Sequence, residues 1–167
     1  MSRQAFYLFV TAALAMEVLG CNPMHQDHGT EAFLNLPLLE RRAAIHDFDP
    51  DKQIDLYLRA MLASHPPDLG LTAEVAKGGL TLLPALDARV SREIDDEAAL
   101  LLVQLLAAIS VLNPDSVTQE SSVVVRAARR VSSLRDAGLR GKAMECLALI
   151  PDRGRTMESR ADSVSSN

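Results

Sequence analysis

The chain has 167 residues, 17 Lys and Arg against 22 Asp and Glu for a net charge of −5, and is 48% hydrophobic but only 4% aromatic, with no Trp. Leu and Ala dominate the hydrophobic fraction, which favours helices, and the length suits one domain. The charge is uneven: residues 21–120 hold 7 basic and 16 acidic side chains and residues 121–167 hold 9 and 5, so the front is acidic and the back basic. In a helical array that asymmetry can form an acidic face and a basic end able to steer a charged partner, and ordinary solvated helix faces account for it as well.

The chain opens with one basic residue, Arg3, and a 15-residue apolar run from Ala5 to Leu19 whose only polar members are Thr11 and Glu17. As a helix this run is about 22 Å long, shorter than the ~30 Å hydrocarbon core of a bilayer, so it suits a signal-peptide core better than a stable span. An uncleaved anchor or a buried N-terminal helix would also fit these residues. Val18-Leu19-Gly20-Cys21 resembles the lipobox of bacterial lipoproteins. That resemblance implies export, a diacylglyceryl group on the Cys21 thiol, and removal of residues 1–20. It also implies anchoring in the cell envelope facing the periplasm, with Asn22 resembling the pattern that permits transfer to an outer membrane. Once Cys21 is acylated, Cys146 has no partner for an internal disulfide; among Met144, Leu147, Leu149 and Ile150 it reads as a small buried hydrophobe.

After a polar tether at residues 21–30, the pattern predicts a helical domain over 31–150 and a disordered tail at 151–167. Leu36 to Phe48 reads as a helix with Pro37 in its first turn. Asp49-Pro50 starts the next, with an acid at the cap and Pro at the first helical position, followed by an apolar stripe at Ile54, Tyr57, Leu58, Met61 and Leu62. His65-Pro66-Pro67-Asp68 breaks the chain, and a short helix near 68–77 ends at Gly78-Gly79. Four further helices are expected: Leu80 to Ile94, Asp96 to Leu112, Val117 to Ala137, and Leu139 to Ile150.

An internal repeat runs through this region. An offset of 47 lays Leu36-Pro37-Leu38-Leu39 on Leu83-Pro84-Ala85-Leu86 and Asp49 on Asp96; an offset of 41 lays Val124 on Leu83, Arg130 on Arg89, Val131 on Val90 and Asp136 on Asp95. Each unit is expected to be two helices around an acidic turn. The segment Leu82 to Leu86, followed by Asp95-Asp96 and a Leu/Ala-rich helix to Ile109, resembles a HEAT repeat. Resemblance to that family implies an all-α fold, a short solenoid of antiparallel helix pairs; an irregular helical bundle uses the same pattern.

Chemical motifs are sparse. Asp47, Asp49, Asp51 and Asp55 have alternating spacing like a calcium loop, but Pro50 lies inside it, Lys52 stands where the turn needs Gly, and Leu58 stands where a bidentate Glu is needed. They read instead as an interhelical turn whose acids favour the next helix N-terminus. His25 and His28 flank Asp27 in the tether without rigid support for a metal. His46 and His65 could be brought together with Asp68, yet only Ser64 supplies a hydroxyl, and not in a nucleophile-elbow setting. Neither a cofactor nor a catalytic residue is assigned. Arg126, Arg129, Arg130, Arg135 and Arg140 form a basic stripe without aromatic interleaving, which argues against nucleic acid.

The expected function is therefore a lipid-anchored adaptor or scaffold. Its partners are the membrane, through acyl groups on Cys21, and an unidentified envelope protein met by Asp47, Asp49, Asp51, Asp55, His65, Asp68, Arg126, Arg129 and Arg130. A periplasmic immunity protein and a hydrolase with an unrecognised site around His46 and His65 are the alternatives.

Overall fold

The computed structural model describes residues 28–64 and 66–152, and among them there is no strand. The fold is all-α. Two units meet in sequence at Glu31 and Ala32; of the first, the described part is the opening of helix α1 (His28–Leu34). The second unit continues through α2 (Leu38–Ala44), α3 (Pro50–Ala63), α4 (Leu69–Ala76), α5 (Leu83–Arg92), α6 (Asp96–Leu112), α7 (Ser122–Ser132) and α8 (Ala137–Ala148), with 3-10 turns at Ile45–Asp47 and Gly79–Leu82. The expected tether is thus helical from His28 onward. Cys21, His25, Asp27 and His65, and the tail beyond Asp152, lie outside the described residues.

Acids start these helices. Asp49, Asp68, Asp95 and Asp136 each accept a backbone N–H from the first turn of α3, α4, α6 and α8, at 3.0, 3.1, 2.8 and 2.8 Å. Each cap satisfies a donor that the helix leaves orphaned. Pro50 adds a preset φ at the first position of α3.

The interior is organised around α6. Eleven of its 17 residues are buried, including Leu102, Leu105, Leu106 and Ile109 at zero exposure, and it packs on α3, α4, α5, α7 and α8. A helix apolar around most of its circumference has to be enclosed in this way. The other contacts divide the unit into two layers. Helices α3, α5 and α7 lie side by side, as do α2, α4, α6 and α8. We call these the A and B layers.

Polar cross-links fix the directions within each layer. Tyr57 of α3 is fully buried; its hydroxyl donates to the Leu101 carbonyl at 3.2 Å and lies 3.3 Å from Thr72 Oγ1, so it ties an A helix to the early turns of α4 and α6. The far ends of α4 and α6 also meet, since the Asn113 side chain lies against Gly79, whose φ of 58° suits glycine. Helices α4 and α6 therefore run parallel. Arg42 to Asp68 and His46 to Glu74 pair α2 with α4 in the same sense, and Asp87 to Arg126 and Glu93 to Arg130 do so for α5 and α7. Short A-to-B turns then make three antiparallel pairs, α3 with α4, α5 with α6 and α7 with α8.

This pairing corrects the repeat register for the first unit. The sequence alignment joined 36–48 to 50–63 as one pair and left 68–77 as an interruption, whereas α3 stands in the layer of α5 and α7 and takes α4 as its partner. The cause is burial. Leu38 and Leu39 are 52% and 76% exposed, while the aligned Ala85 and Leu86 are 7% and 0%; α2 buries no residue, while α4 buries Leu71, Val75 and Ala76. The 41-residue offset does match the packing: Asp95 and Asp136 are both caps, and Val90 and Val131 are both buried.

Three helices are shorter than their patterns, and the first, expected from Leu36 to Phe48, is α-helical only over Leu38–Ala44 before the 3-10 turn at Ile45–Asp47. The segment expected as Val117 to Ala137 is helical only over α7 because Val117 and Thr118 are buried in a strap that closes the end of α8. There Gln119 N donates to the Pro151 carbonyl at 2.9 Å, and its side-chain amide donates to Leu147 and Ile150 carbonyls at 2.7 and 3.0 Å. At the other end, the Asp96 carboxylate takes the N–H groups of Arg135 and Asp136 at 2.7 and 3.0 Å and holds them out of the helix. The segment expected as Leu80 to Ile94 begins in the 3-10 turn and stops at Arg92, where the Glu93 carboxylate accepts the Ile94 and Asp95 N–H groups.

The corrected register makes two aligned leucines unequal. Leu86→Ala should cost about 2–5 kcal/mol of unfolding free energy through lost transfer energy and a cavity. Leu39→Ala should stay within about 0.5 kcal/mol, as a surface change does. Urea denaturation of the two variants checks this; equal losses would restore the original alignment.

Candidate functional site

A cluster of charged side chains lies where α3 meets α5. At the start of α3, Asp49, Asp51, Lys52 and Asp55 form one wall of a cleft of about 380 Å³ whose other wall is Arg89 and Arg92 of α5, with Ile54 and Ala85 at its floor. The helical spacing puts these side chains there: Asp51 and Asp55 are four apart, Arg89 and Arg92 three. Several are already committed within the chain. Asp49 caps α3, Asp55 pairs with Arg59 at 2.9 Å, and Arg89 pairs with Glu93 at 3.1 Å. Arg92 Nε donates to the Ala88 carbonyl at 3.1 Å, and its charge has no carboxylate partner among the described residues. Asp47 and Asp51 are exposed.

The arginine stripe sits one helix further along. Arg126 forms a bidentate pair with Asp87 of α5, which raises the guanidinium pKa. Arg130 is the more enclosed: it donates from Nε to the Glu93 carbonyl at 2.8 Å and meets Asp96 at 3.3 Å. Asp96 is held below the usual carboxylate range by the Asp136 N–H first, then by the Arg135 N–H and Arg130. Arg129 is exposed, and its side chain makes no ion pair among the described residues. The face thus runs from acids on α3, through paired charges on α5, to an uncommitted base on α7.

The structure does not bring all the sequence-derived site residues together. Asp49, Asp51 and Asp55 converge on Arg89 and Arg92, which sequence reasoning did not single out, and α5 separates them from Arg126, Arg129 and Arg130. Asp68 is elsewhere, on the A-to-B turn edge, nearly buried and paired with Arg42. That guanidinium lies across Gly70, where any Cβ would collide with it. Asp68 is thus committed to a pair within the fold while lining a cleft of about 730 Å³ with Leu38, Pro66, Pro67 and Leu69, and His65 beside it lies outside the described residues. The i,i+3 spacing of Arg89 and Arg92 was a local signal; the Asp87–Arg126 pair, 39 residues apart, had none.

Other chemistry is limited. Among the described residues no group of three or more His, Cys, Asp and Glu could hold a metal. His46 Nε2 lies 3.2 Å from Glu74, whose carboxyl is lowered by Lys77 first and then by His46. The Cys146 thiol is half-buried and pushed up by that burial, which opposes a reactive thiolate. Burial likewise pushes the Tyr57 phenol up to about 12, so it stays a neutral donor.

The Arg42 pair makes a pH prediction. The hydrogen bond from Arg42 lowers the folded pKa of Asp68, so its stabilisation is complete above the unfolded carboxylate value of about 3.9 and is lost as pH falls through the lower folded value. Asp68→Asn keeps an acceptor for the cap and removes the charge. Its urea midpoint should lie below that of the native chain at neutral pH, and the gap should close as pH falls through the lowered folded value; a gap independent of pH would sink the assignment. In comparisons with known proteins, no family model, curated protein or solved structure matches this chain.

Proposed function

We propose that this chain is a lipid-anchored protein of the bacterial cell envelope that binds another envelope protein without chemical catalysis. The lipobox-like Val18-Leu19-Gly20-Cys21 after an apolar run supports the anchor. Acylation of Cys21 tethers the chain to a membrane, facing the periplasm, and Asn22 favours the outer one where two membranes exist. Stacked helix pairs support the binding role because they form an extended surface on a rigid scaffold.

The single observation that carries the role is the A-layer face. After its internal pairs are made, it leaves Asp51 at one end and Arg92 and Arg129 toward the other, a charge pattern that orients a complementary partner and speeds encounter. Arg126 and Arg130 align this face by holding α7 to α5, so reversing them would test folding rather than binding.

Two measurements test the proposal. Fatty-acid labelling should mark the native chain and leave Cys21→Ser unlabelled and released from membranes; an unlabelled native chain would end the lipoprotein reading. With a photo-crosslinker placed on the A-layer face at Ser91, an adduct with an envelope protein should weaken about 10-fold in Arg92→Glu/Arg129→Glu, while helical content holds. Equal adduct in both chains would remove these arginines from the interface.

A further inference from the structure

The cleft between α3 and α5 holds opposite charges apart. Asp49, Asp51 and Asp55 with Lys52 leave the α3 wall two negative charges, and Arg89 and Arg92 give the α5 wall two positive ones. Each sign suits its own helix end: Asp51 stands in the first turn of α3, and Arg89 and Arg92 in the last turn of α5, where they offset the helix dipoles. The dipoles account for the signs and not for the gap. Asp55 turns to Arg59 and Arg89 to Glu93, each on its own side of the cleft, so among the described residues no ion pair crosses it. Asp51 makes no ion pair there at all, and Arg92 commits only its Nε, to the Ala88 carbonyl, which leaves the two terminal nitrogens of an exposed guanidinium uncommitted.

Packing keeps the walls from closing by movement of the helices. Ile54 of α3 and Leu86 and Val90 of α5 are buried, and the Tyr57 hydroxyl ties α3 to the backbone of α6. A close-packed interior resists the shift that would bring the walls together. The space that remains, about 380 Å³, lies at the lower end of the ~300–1,000 Å³ range of small-molecule sites.

The balance of charge selects the occupant. A lone cation drawn to Asp51 meets two arginines across the gap, and a lone anion drawn to Arg92 meets three carboxylates. A group with one charge of each sign answers both walls, and a short apolar link between its charges matches Ile54 and Ala85 at the floor. We propose that the cleft binds a small zwitterion of the amino-acid class, its ammonium against Asp51 and Asp55 and its carboxylate against Arg92 and Arg89. The planar fork of Arg92 offers the carboxylate parallel N–H donors, and both ends then gain charge-assisted hydrogen bonds. The site shares Asp51 and Arg92 with the docking face proposed above and requires neither the anchor nor the protein partner.

Amide shifts of the nitrogen-15-labelled full chain test this, with glycine, β-alanine, γ-aminobutyrate and ε-aminohexanoate added at constant ionic strength and butylamine and butyrate as single-charge controls. Residues 49–55 and 85–92 should shift saturably with at least one zwitterion, about 10-fold more tightly than with either control, because each control lacks one charge-assisted contact. Asp51→Lys and Arg92→Glu should each weaken that binding about 10-fold. The double variant, which turns the pair around, should bind about three-fold more tightly than either single, because a zwitterion can enter in either direction; purely structural roles would make the double variant the weakest. Circular dichroism verifies that each variant is folded. The site is overturned by no saturable shift across the native series, by a control that binds as tightly as the best zwitterion, or by a double variant no better than the singles. The photo-crosslinked adduct is read without any of these ligands, so the docking reading stands or falls separately.

Discussion

Enclosure of α6 is the constraint on which the second unit depends. Leu100 to Leu106 offers no continuous polar face, with only Gln104 partly open, so each side of the helix must meet an apolar neighbour. Five helices supply those faces. The A layer exists because α3, α5 and α7 cover one half of α6, and the B layer because α4 and α8 flank the rest. Tyr57 shows how tightly this is set: its hydroxyl is deep in the interior and finds its acceptor on the backbone of α6 itself.

Because the centre is apolar, charge is displaced to the edges and the outer faces, where it fixes register instead of adding much energy. Exposed pairs such as Asp55–Arg59 contribute about 0–1 kcal/mol. The cross-links between helices matter more for geometry: Arg42 to Asp68 and Arg126 to Asp87 join parallel neighbours within a layer, and Arg130 to Asp96 joins one pair to the next. Asp96 has the widest reach, since one carboxylate holds Arg130 and two backbone donors of the next turn. These ties leave a limited set of free charges on the A-layer face, Asp51, Arg92 and Arg129 among them.

Division of labour follows from the same geometry. A stacked pair has a turn edge, a far edge and two broad faces, and these present different chemistry here. Leu69 and Ile94 stand exposed at the turns between the layers, and Asp51, Arg92 and Arg129 on the A-layer face.

Local chemistry was legible in the sequence where a short-range rule decides the outcome. The Asp49 cap, Pro50 at the head of α3, the break at Pro66-Pro67, the absence of strand patterns and the equivalence of Asp95 with Asp136 all depend on neighbours within a few residues, and the sequence determined them. Burial depends on what lies opposite, which only the tertiary structure decides. Leu36 to Leu39 and Leu83 to Leu86 carry the same motif, yet the second meets α7 and sinks into the core while the first lies outside it. That difference moved α3 from one layer to the other and promoted α4 to a full member of a pair. The charged sites divided the same way. Acids near α3 could be listed from spacing alone, but their meeting with Arg89 and Arg92, and the capture of Arg126, Arg130 and Asp68 inside the fold, required helices distant in sequence to come to rest side by side.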